Sequence, residues 1–134
     1  MNNNILEAKN ITKSFGNTHA LKNVNFYLHK SKIHGLLGEN GAGKSSLMNI
    51  LSGIYQPENG SIYIDGIKVK KLNPDLAAKL GIGMVHQEFR LINNFTIKDN
   101  LTLSKSNIYT DDFNEAFKKY SDIFSLSAGS ETLV

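Results

Sequence analysis

A glycine-rich run that ends in lysine and serine has the residue types and spacing of a phosphate-binding loop. Residues 38–45 read Gly-Glu-Asn-Gly-Ala-Gly-Lys-Ser and fit the phosphate-binding pattern G-x-x-x-x-G-K-[ST]. Glycines let a loop bend through conformations closed to other residues, so its backbone N–H groups can approach phosphate oxygens. In such a loop the Lys44 ammonium reaches the β- and γ-phosphates, and the Ser45 hydroxyl is placed to ligate Mg²⁺. The run therefore predicts a site for a nucleoside triphosphate and its magnesium ion.

Two elements must flank this loop if it is to hold phosphates, a buried strand before it and a helix after it. Residues 33–37 form a short, mostly apolar run and predict the strand. After the loop, apolar side chains recur at spacings of 0, 3, 4 and 7 residues, which predicts one face of a helix made of Leu47, Ile50, Leu51 and Ile54. Gly53 predicts the end of that helix. The alternative, a glycine-rich turn with a surface lysine, is therefore disfavoured.

The remaining strand signals predict a mixed order, with an antiparallel β part first and an α/β part after it. Asp65 and Gly66 are typical of a two-residue hairpin turn, because both tolerate a positive φ. Apolar alternation on either side of this turn, and nearer the N-terminus, predicts strands at residues 5–8, 24–28, 62–64 and 67–69.

Three further helices are predicted from their ends and their periodicity. Asn73 is placed to cap a short helix whose first residue is Pro74, with Gly81 after its end. Thr96 and Asp99 have the spacing of a helix start. The most regular helix has one apolar face, which predicts core or partner-facing packing and consists of Phe113, Ala116, Phe117, Tyr120, Ile123 and Phe124.

Composition fits one domain that binds a nucleotide. The chain has 134 residues, is 40% hydrophobic and carries a net charge of +3, a mild basic balance that suits phosphate and gives no evidence for nucleic acid. It has no cysteine, which excludes disulfides and thiolate metal sites, and its four histidines show no metal-binding spacing. Its apolar runs are too short to span a bilayer.

Three segments in order resemble the ATP-binding subunit of ABC transporters. They are the loop extended to Leu47, the run Gln-Pro-Glu-Asn-Gly-Ser-Ile-Tyr-Ile-Asp-Gly at residues 56–66, and Gly-Met-Val-His-Gln-Glu at residues 83–88. The run Val-His-Gln-Glu-Phe-Arg-Leu, followed by Asn-Phe-Thr-Ile-Lys-Asp-Asn-Leu, most resembles the importer ATPases for simple sugars and nucleosides. The resemblance implies an α/β fold of the P-loop NTPase class with an N-terminal antiparallel β subdomain.

The resemblance also implies roles for single residues. ATP and Mg²⁺ are the implied ligands, and Phe15 matches the aromatic residue that stacks on adenine. Gln87 matches the residue that touches Mg²⁺ or its water and begins the flexible Q-loop facing the membrane subunit. By themselves, a lone Phe would be assigned to the core and a lone Gln to the surface. The implied catalytic residues are Lys44 and Gln87, the implied metal ligands are Ser45 and Gln87, and the implied nucleotide-binding residues are Phe15, Asn40, Gly41, Ala42, Gly43, Lys44, Ser45 and Ser46.

Three motifs that the family needs for hydrolysis are absent from this sequence. They are a Leu-Ser-Gly-Gly-Gln-like signature, an apolar run ending in Asp-Glu (the Walker B motif) and a switch His. Residues 126–131 read Leu-Ser-Ala-Gly-Ser-Glu and echo the signature only faintly, which we interpret as chance. We therefore expect residues 1–134 to be the N-terminal part of one ATPase domain in a longer subunit, able to bind ATP but not to hydrolyse it.

The function that the resemblance implies is ATP-driven import of a small solute, a sugar or a nucleoside. The implied partners are transmembrane permease subunits and a second ATPase domain, with a solute-binding protein acting indirectly and no nucleic acid. The implied location is the cytoplasmic face of the cell membrane, as a peripheral protein. Two alternatives stay open: a soluble ABC-type ATPase that acts on ribosomes or DNA, and a nucleotide-binding module that does not hydrolyse.

Overall fold

A computed structural model describes residues 3–85, 91–103 and 113–134. The chain divides into two compact units, Met1–Met84 and Val85–Val134. The first unit contains β1 (Asn4–Phe15), β2 (Thr18–His29), α1 (Lys44–Leu51), β3 (Asn59–Ile64), β4 (Ile67–Val69) and α2 (Pro74–Lys79). The second contains α3 (Ile97–Thr102) and α4 (Phe113–Phe124). None of these helices is long and apolar enough to cross a bilayer.

The four strands of the first unit form one antiparallel sheet in the order β2-β1-β3-β4. This confirms the predicted N-terminal antiparallel subdomain. Strands β3 and β4 meet at the predicted turn, where Asp65 and Gly66 have φ of 47° and 79°, as expected for a two-residue hairpin. The sheet places β1 in its interior, hydrogen-bonded on both sides.

Strands β1 and β2 are longer than predicted because bulges interrupt their alternation. Asn10 and Asn23 adopt left-handed φ of 54° and 52°, and the β1–β2 register shifts between Ala8 and Ile11. The Asn10 N–H donates to Oδ1 of Asn25 at 2.9 Å, so a side chain replaces a ladder contact at this bulge. The alternation of apolar residues therefore predicted only the part of each strand that lies on one side of its bulge, residues 5–8 of β1 and 24–28 of β2.

Helix α1 and the sheet share one buried core. Leu47, Ile50 and Leu51 are buried as predicted, and the helix ends before Gly53, whose φ is 80°. Ile54 lies beyond this end and is exposed, so its assignment to the helical face was wrong. The other members of the core are Leu6, Ala8, Ile11, Leu21, Ile62, Ile64, Leu72 and Ala77.

The predicted strand at residues 33–37 does not form. The segment belongs to no strand of the described sheet, and the side chains of Ile33 and Leu37 are almost fully exposed. An apolar run becomes a strand only when a neighbouring strand supplies hydrogen-bond partners, and β1 to β4 supply none for this segment. The apolar pattern therefore predicted a strand at residues 33–37, but no strand among the described residues pairs with this segment.

The predicted ends of α2 are confirmed. Oδ1 of Asn73 accepts the Leu76 N–H at 2.8 Å, and Pro74 occupies the first turn. The last residue of the helix is Lys79, and Gly81 follows with a φ of 81°.

In the second unit, the predicted start of α3 is a capping box. Thr96 Oγ1 accepts the Asp99 N–H at 3.0 Å, and Asp99 Oδ2 accepts the Thr96 N–H at 3.1 Å. The Thr96 hydroxyl, which donates to Asp99 Oδ2 at 2.6 Å, and after it the Thr96 N–H hold the pKa of Asp99 below its ordinary value of 3.8. The Ile97 N–H donates to the Thr132 carbonyl and the Lys98 N–H to the Ser130 carbonyl, at 2.9 Å each. Ser130 belongs to the faint signature echo at residues 126–131, and Thr132 follows it closely. That segment therefore covers the start of a helix.

The predicted last helix forms as α4. The rings of Phe113 and Phe117 stack with centroids 5.9 Å apart on its apolar face. Further along this face, Tyr120, Ile123 and Phe124 are more than half exposed. The predicted stripe is present, and its second half is open at the surface of the described residues.

Candidate nucleotide-binding site

The loop at residues 38–45 turns through two left-handed glycines. Gly41 and Gly43 have φ of 86° and 87°, a region that costs other residues free energy. The Ala42 N–H donates to the Glu39 carbonyl at 3.2 Å and closes the bend. Gly43 is also tightly enclosed, because a Cβ there would collide with the Ala20 carbonyl and lie 2.9 Å from Leu21 Cδ2. The glycine at 43 is thus required both by its φ and by its contact with β2.

Lys44 is anchored to the same loop by its side chain. Its Nζ donates to the carbonyls of Gly38 and Glu39, at 2.7 Å in both cases. The ammonium therefore lies over the bend, with the loop folded around it. This places a cation where the sequence predicted the phosphates.

Helix α1 opens directly on the loop and offers unbonded amides. Its N-cap is Gly43, which has no side chain to cap the helix, and the first intrahelical bond runs from the Leu47 N–H to the Gly43 carbonyl at 2.9 Å. The N–H groups of Lys44, Ser45 and Ser46 precede that bond and have no acceptor within the helix. Together with the positive end of the helix dipole, they form a site that favours an anion.

Ser45 provides the oxygen predicted for magnesium. It lies in the first turn of α1 and is exposed, so its hydroxyl is accessible beside the loop. Mg²⁺ takes hard oxygen ligands and commonly uses one or two from the protein, with phosphate oxygens and water completing the shell. The donor type at Ser45 therefore fits this ion. Gln87, the other predicted ligand, lies outside the described residues.

Phe15 ends β1 and is 43% exposed, so it is not a core residue. The Tyr55 ring meets it edge to face, with centroids 5.2 Å apart and an interplanar angle of 66°. The Lys13 ammonium lies 5.4 Å from the centroid of the Phe15 ring. Because Phe15 is partly exposed and Tyr55 contacts it edge to face, the ring has surface available for a flat ligand, and its role in stacking adenine stays a prediction.

The β1–β2 hairpin brings Phe15 near the phosphate loop. Phe15 pairs with Thr18 across the hairpin. Gly43 lies against Ala20, which is two residues from Thr18 along the extended strand, or roughly 7 Å. A nucleotide whose phosphates lie in the loop would therefore have its base within reach of this hairpin end.

One polar cluster beside Phe15 was missed by the sequence analysis. Glu58 accepts two hydrogen bonds from Ser14, and the Ser14 hydroxyl lies 3.0 Å from Nδ1 of His19. Ser14 and Glu58 are 44 residues apart, so no local spacing could have linked them. The cluster forms only when β3 is placed beside β1.

The described residues combine a phosphate-binding loop that opens a helix with an antiparallel sheet, an arrangement also found in solved ATP-binding cassettes. A nucleotide-free ATP-binding cassette from an ABC transporter matches with a TM-score of 0.79 and 23% identity over 96% of this chain and 56% of that one. A structure of the ADP conformation of an ATP-binding cassette of an ABC transporter matches with a TM-score of 0.78 and 23% identity, at the same coverages of 96% and 56%. At this identity the likeness shows the fold.

The sequence model of the family described as ABC transporter matches residues 21–134. The chain belongs to that family, as the resemblance implied. It is 52% identical over 101 residues to the guanosine import ATP-binding protein NupO of Bacillus subtilis (strain 168), covering 75% of this chain and 20% of that protein. It is 52% identical over 95 residues to the D-allose import ATP-binding protein AlsA of Escherichia coli (strain K12), covering 71% and 19%. The ribose import ATP-binding protein RbsA of Ruegeria sp. (strain TM1040) is 48% identical over 103 residues, covering 77% and 20%. The chain thus spans about a fifth of the length of the curated relatives it matches.

Proposed function

We propose that this chain is the N-terminal part of an ATP-binding subunit that powers import of a small solute, a sugar or a nucleoside. The observation that carries the proposal is the phosphate loop of residues 38–45, formed around Lys44 in a member of the ABC transporter family. The relatives named above are import ATP-binding proteins for guanosine, D-allose and ribose, which supports the solute class. The residues that complete the ATPase domain would belong to the longer subunit.

In this proposal the loop binds the phosphates through its backbone before any side chain acts. The N–H groups of Lys44, Ser45 and Ser46, which have no acceptor within the helix, would donate to the β- and γ-phosphate oxygens, assisted by the dipole of α1. Lys44 exchanges its carbonyl acceptors for phosphate oxygens, a charge-assisted bond that is stronger than the neutral one it replaces. The base lies on the ring of Phe15. The ligand is therefore held at both of its ends.

Ser45 and Gln87 would hold the magnesium ion in this proposal. The ion supplies positive charge that offsets the charge developing on the phosphates. The Ser45 hydroxyl and the Gln87 amide oxygen are neutral ligands, so they position the ion without adding negative charge beside the triphosphate. Gln87 also begins the segment that would report nucleotide state to the membrane subunit.

We further propose that the subunit works at the cytoplasmic face of the cell membrane. Two ATPase domains would close over ATP and pull on transmembrane permease subunits, with a solute-binding protein delivering the solute. Of the two alternatives, action on ribosomes or DNA and binding without hydrolysis, neither is favoured by any described residue or by the names of the relatives reported above. Co-purification of the full-length subunit with membranes, as opposed to ribosomes, tests the first alternative.

Titration calorimetry with MgATP tests the site. The variant Lys44→Ala removes the side-chain cation of the loop, and we expect about 10- to 100-fold weaker binding, the usual worth of hydrogen bonds to a charged group. Lys68→Ala, an exposed lysine of β4, changes the net charge equally and serves as the control. Equal affinities for the wild type and Lys44→Ala would remove the basis of the proposal.

A further inference from the structure

The end of β1 extends beyond its pairing with β3. The last β1–β3 pair joins Thr12 to Asn59, whereas β1 stays paired with β2 as far as Phe15 and Thr18. Ser14 and Phe15 therefore have a strand on one side and only the chain before β3 on the other. A main chain with one open edge holds its side chains less firmly than one in the middle of a sheet.

Glu58 closes this open edge with its side chain. Its own N–H donates to the Thr12 carbonyl at 2.9 Å, which fixes its backbone against β1. From there its carboxylate reaches two residues further, and its Oε1 accepts the Ser14 N–H at 3.0 Å while Oε2 accepts the Ser14 hydroxyl at 3.2 Å. The carboxylate thus accepts a backbone hydrogen bond from β1 beyond the last β1–β3 pair, where no β3 backbone group is opposite. It fixes the residue directly before Phe15.

Tyr55 fixes the ring itself. It meets Phe15 edge to face, a geometry that aromatic pairs prefer. Its N–H donates to the Asn49 carbonyl of α1 at 3.0 Å, as does that of Ile54 at 2.8 Å. Tyr55, whose ring meets that of Phe15, is therefore tied to α1, the helix that follows the phosphate loop.

We propose that Tyr55 and Glu58 are positioning residues that hold Phe15 for the adenine base and so set the preference of the site for a nucleotide over a bare polyphosphate. This inference rests on the proposed function, in which Phe15 stacks on adenine. An exposed ring free to change rotamer must be immobilised when a base binds, and that ordering weakens binding. A ring held beforehand by an edge contact and an anchored strand end avoids that cost.

The test compares two ligands, MgATP and magnesium tripolyphosphate, because the second has the phosphates without a base. We expect Glu58→Ala to weaken MgATP about threefold to tenfold, the range of one or two hydrogen bonds, and to leave tripolyphosphate within twofold. Tyr55→Ala should behave in the same way. Glu58→Gln and Tyr55→Phe should bind MgATP nearly as well as the wild type, since the amide can still bond Ser14 and the phenyl ring keeps its edge.

A double variant separates positioning from any other role. If Glu58 acts only through Phe15, Phe15→Ala combined with Glu58→Ala should bind MgATP no more weakly than Phe15→Ala alone. Glu131→Ala, which removes an exposed carboxylate of the second unit, controls for the change in net charge. Ser14→Ala removes one of the two bonds and gives a milder version, should Glu58→Ala fold poorly.

Three outcomes would overturn the proposal. These are an equal loss for both ligands, losses that add in the double variant, and wild-type MgATP affinity in Phe15→Ala. In each case the effect of Lys44→Ala on tripolyphosphate still reports on the phosphate loop. Failure of the positioning role is therefore distinguishable from failure of the proposed function.

Discussion

The two ends of the candidate site are built differently. At the phosphate end the proposed ligand contacts are consecutive backbone groups of one loop and one helix turn, residues 38–46, with Lys44 folded onto the same loop. At the base end a single exposed ring is held by side chains from distant parts of the chain, Tyr55 and Glu58. Changes at the phosphate end should therefore affect every polyphosphate, whereas changes at the base end should affect nucleotides alone.

The largest expected effect concerns turnover. Both ends are proposed to bind the ground state, and the sequence contains neither the Asp-Glu that would orient water nor the signature that would close over the γ-phosphate. Each group of that kind typically contributes 10²- to 10³-fold in rate, so we expect phosphate release by the 134-residue chain to stay at background. Turnover near 1 s⁻¹ that disappears in Lys44→Ala would show that residues 1–134 already contain a complete catalytic site.

The second prediction addresses the rigidity of the phosphate end. Gly43→Ala combines a positive φ with a collision against β2, so we expect about 2–4 kcal/mol of lost unfolding free energy in urea. Gly41→Ala is the matched comparison, because it has the same sign of φ with nothing within 4 Å, and about 1 kcal/mol is expected. Similar losses for the two variants would mean that contact with β2 does not fix the loop.

The third prediction addresses the base end. Phe15→Ala should weaken MgATP by about 1–3 kcal/mol, whereas Phe15→Tyr and Phe15→Trp should preserve it because stacking needs only a flat ring. The chain has no tryptophan, so Phe15→Trp also supplies a single fluorescent reporter. Its emission should respond to MgATP and not to tripolyphosphate. Aromatic replacements as harmful as Ala would show that the ring packs and does not stack.

The smallest effect lies outside both ends, in the capping box of α3, which is local in sequence like the phosphate loop. Because the pKa of Asp99 is lowered by its bonds to Thr96, this contact stabilises the fold above the ordinary pKa of 3.8 and is lost as the pH falls through the lowered value. An NMR titration should find the Asp99 pKa below 3.8, and Thr96→Ala should raise it towards that value. An unchanged pKa in the variant would contradict the role of Thr96.

Sequence reasoning succeeded where the cause of a structure is local. The helix that begins at Lys44, the cap at Asn73, the helix start at Thr96 and the turn at Asp65 each depend on residues within a few positions, and all were predicted. It failed at residues 33–37, because an apolar run does not show which strand will lie beside it.

The base end could not be predicted in the same way. Its polar cluster joins Ser14 to Glu58, residues 44 positions apart, through the β1–β3 register. That register includes a shift between Lys9 and Thr12, which no alternation pattern reveals. The placement of Glu58 therefore required the structure.

In the proposed function, the contact of Lys44 with the Gly38 and Glu39 carbonyls would make nucleotide binding a competition. The ammonium already has two acceptors at 2.7 Å, so an incoming ligand must offer more than a neutral dipole to displace them. A phosphate oxygen bearing a full negative charge can do so, whereas water, sugar hydroxyls and amides offer only what the loop already provides. The loop would thereby select solutes by charge, and ligands should rank from triphosphate through diphosphate to monophosphate, with uncharged molecules binding weakest.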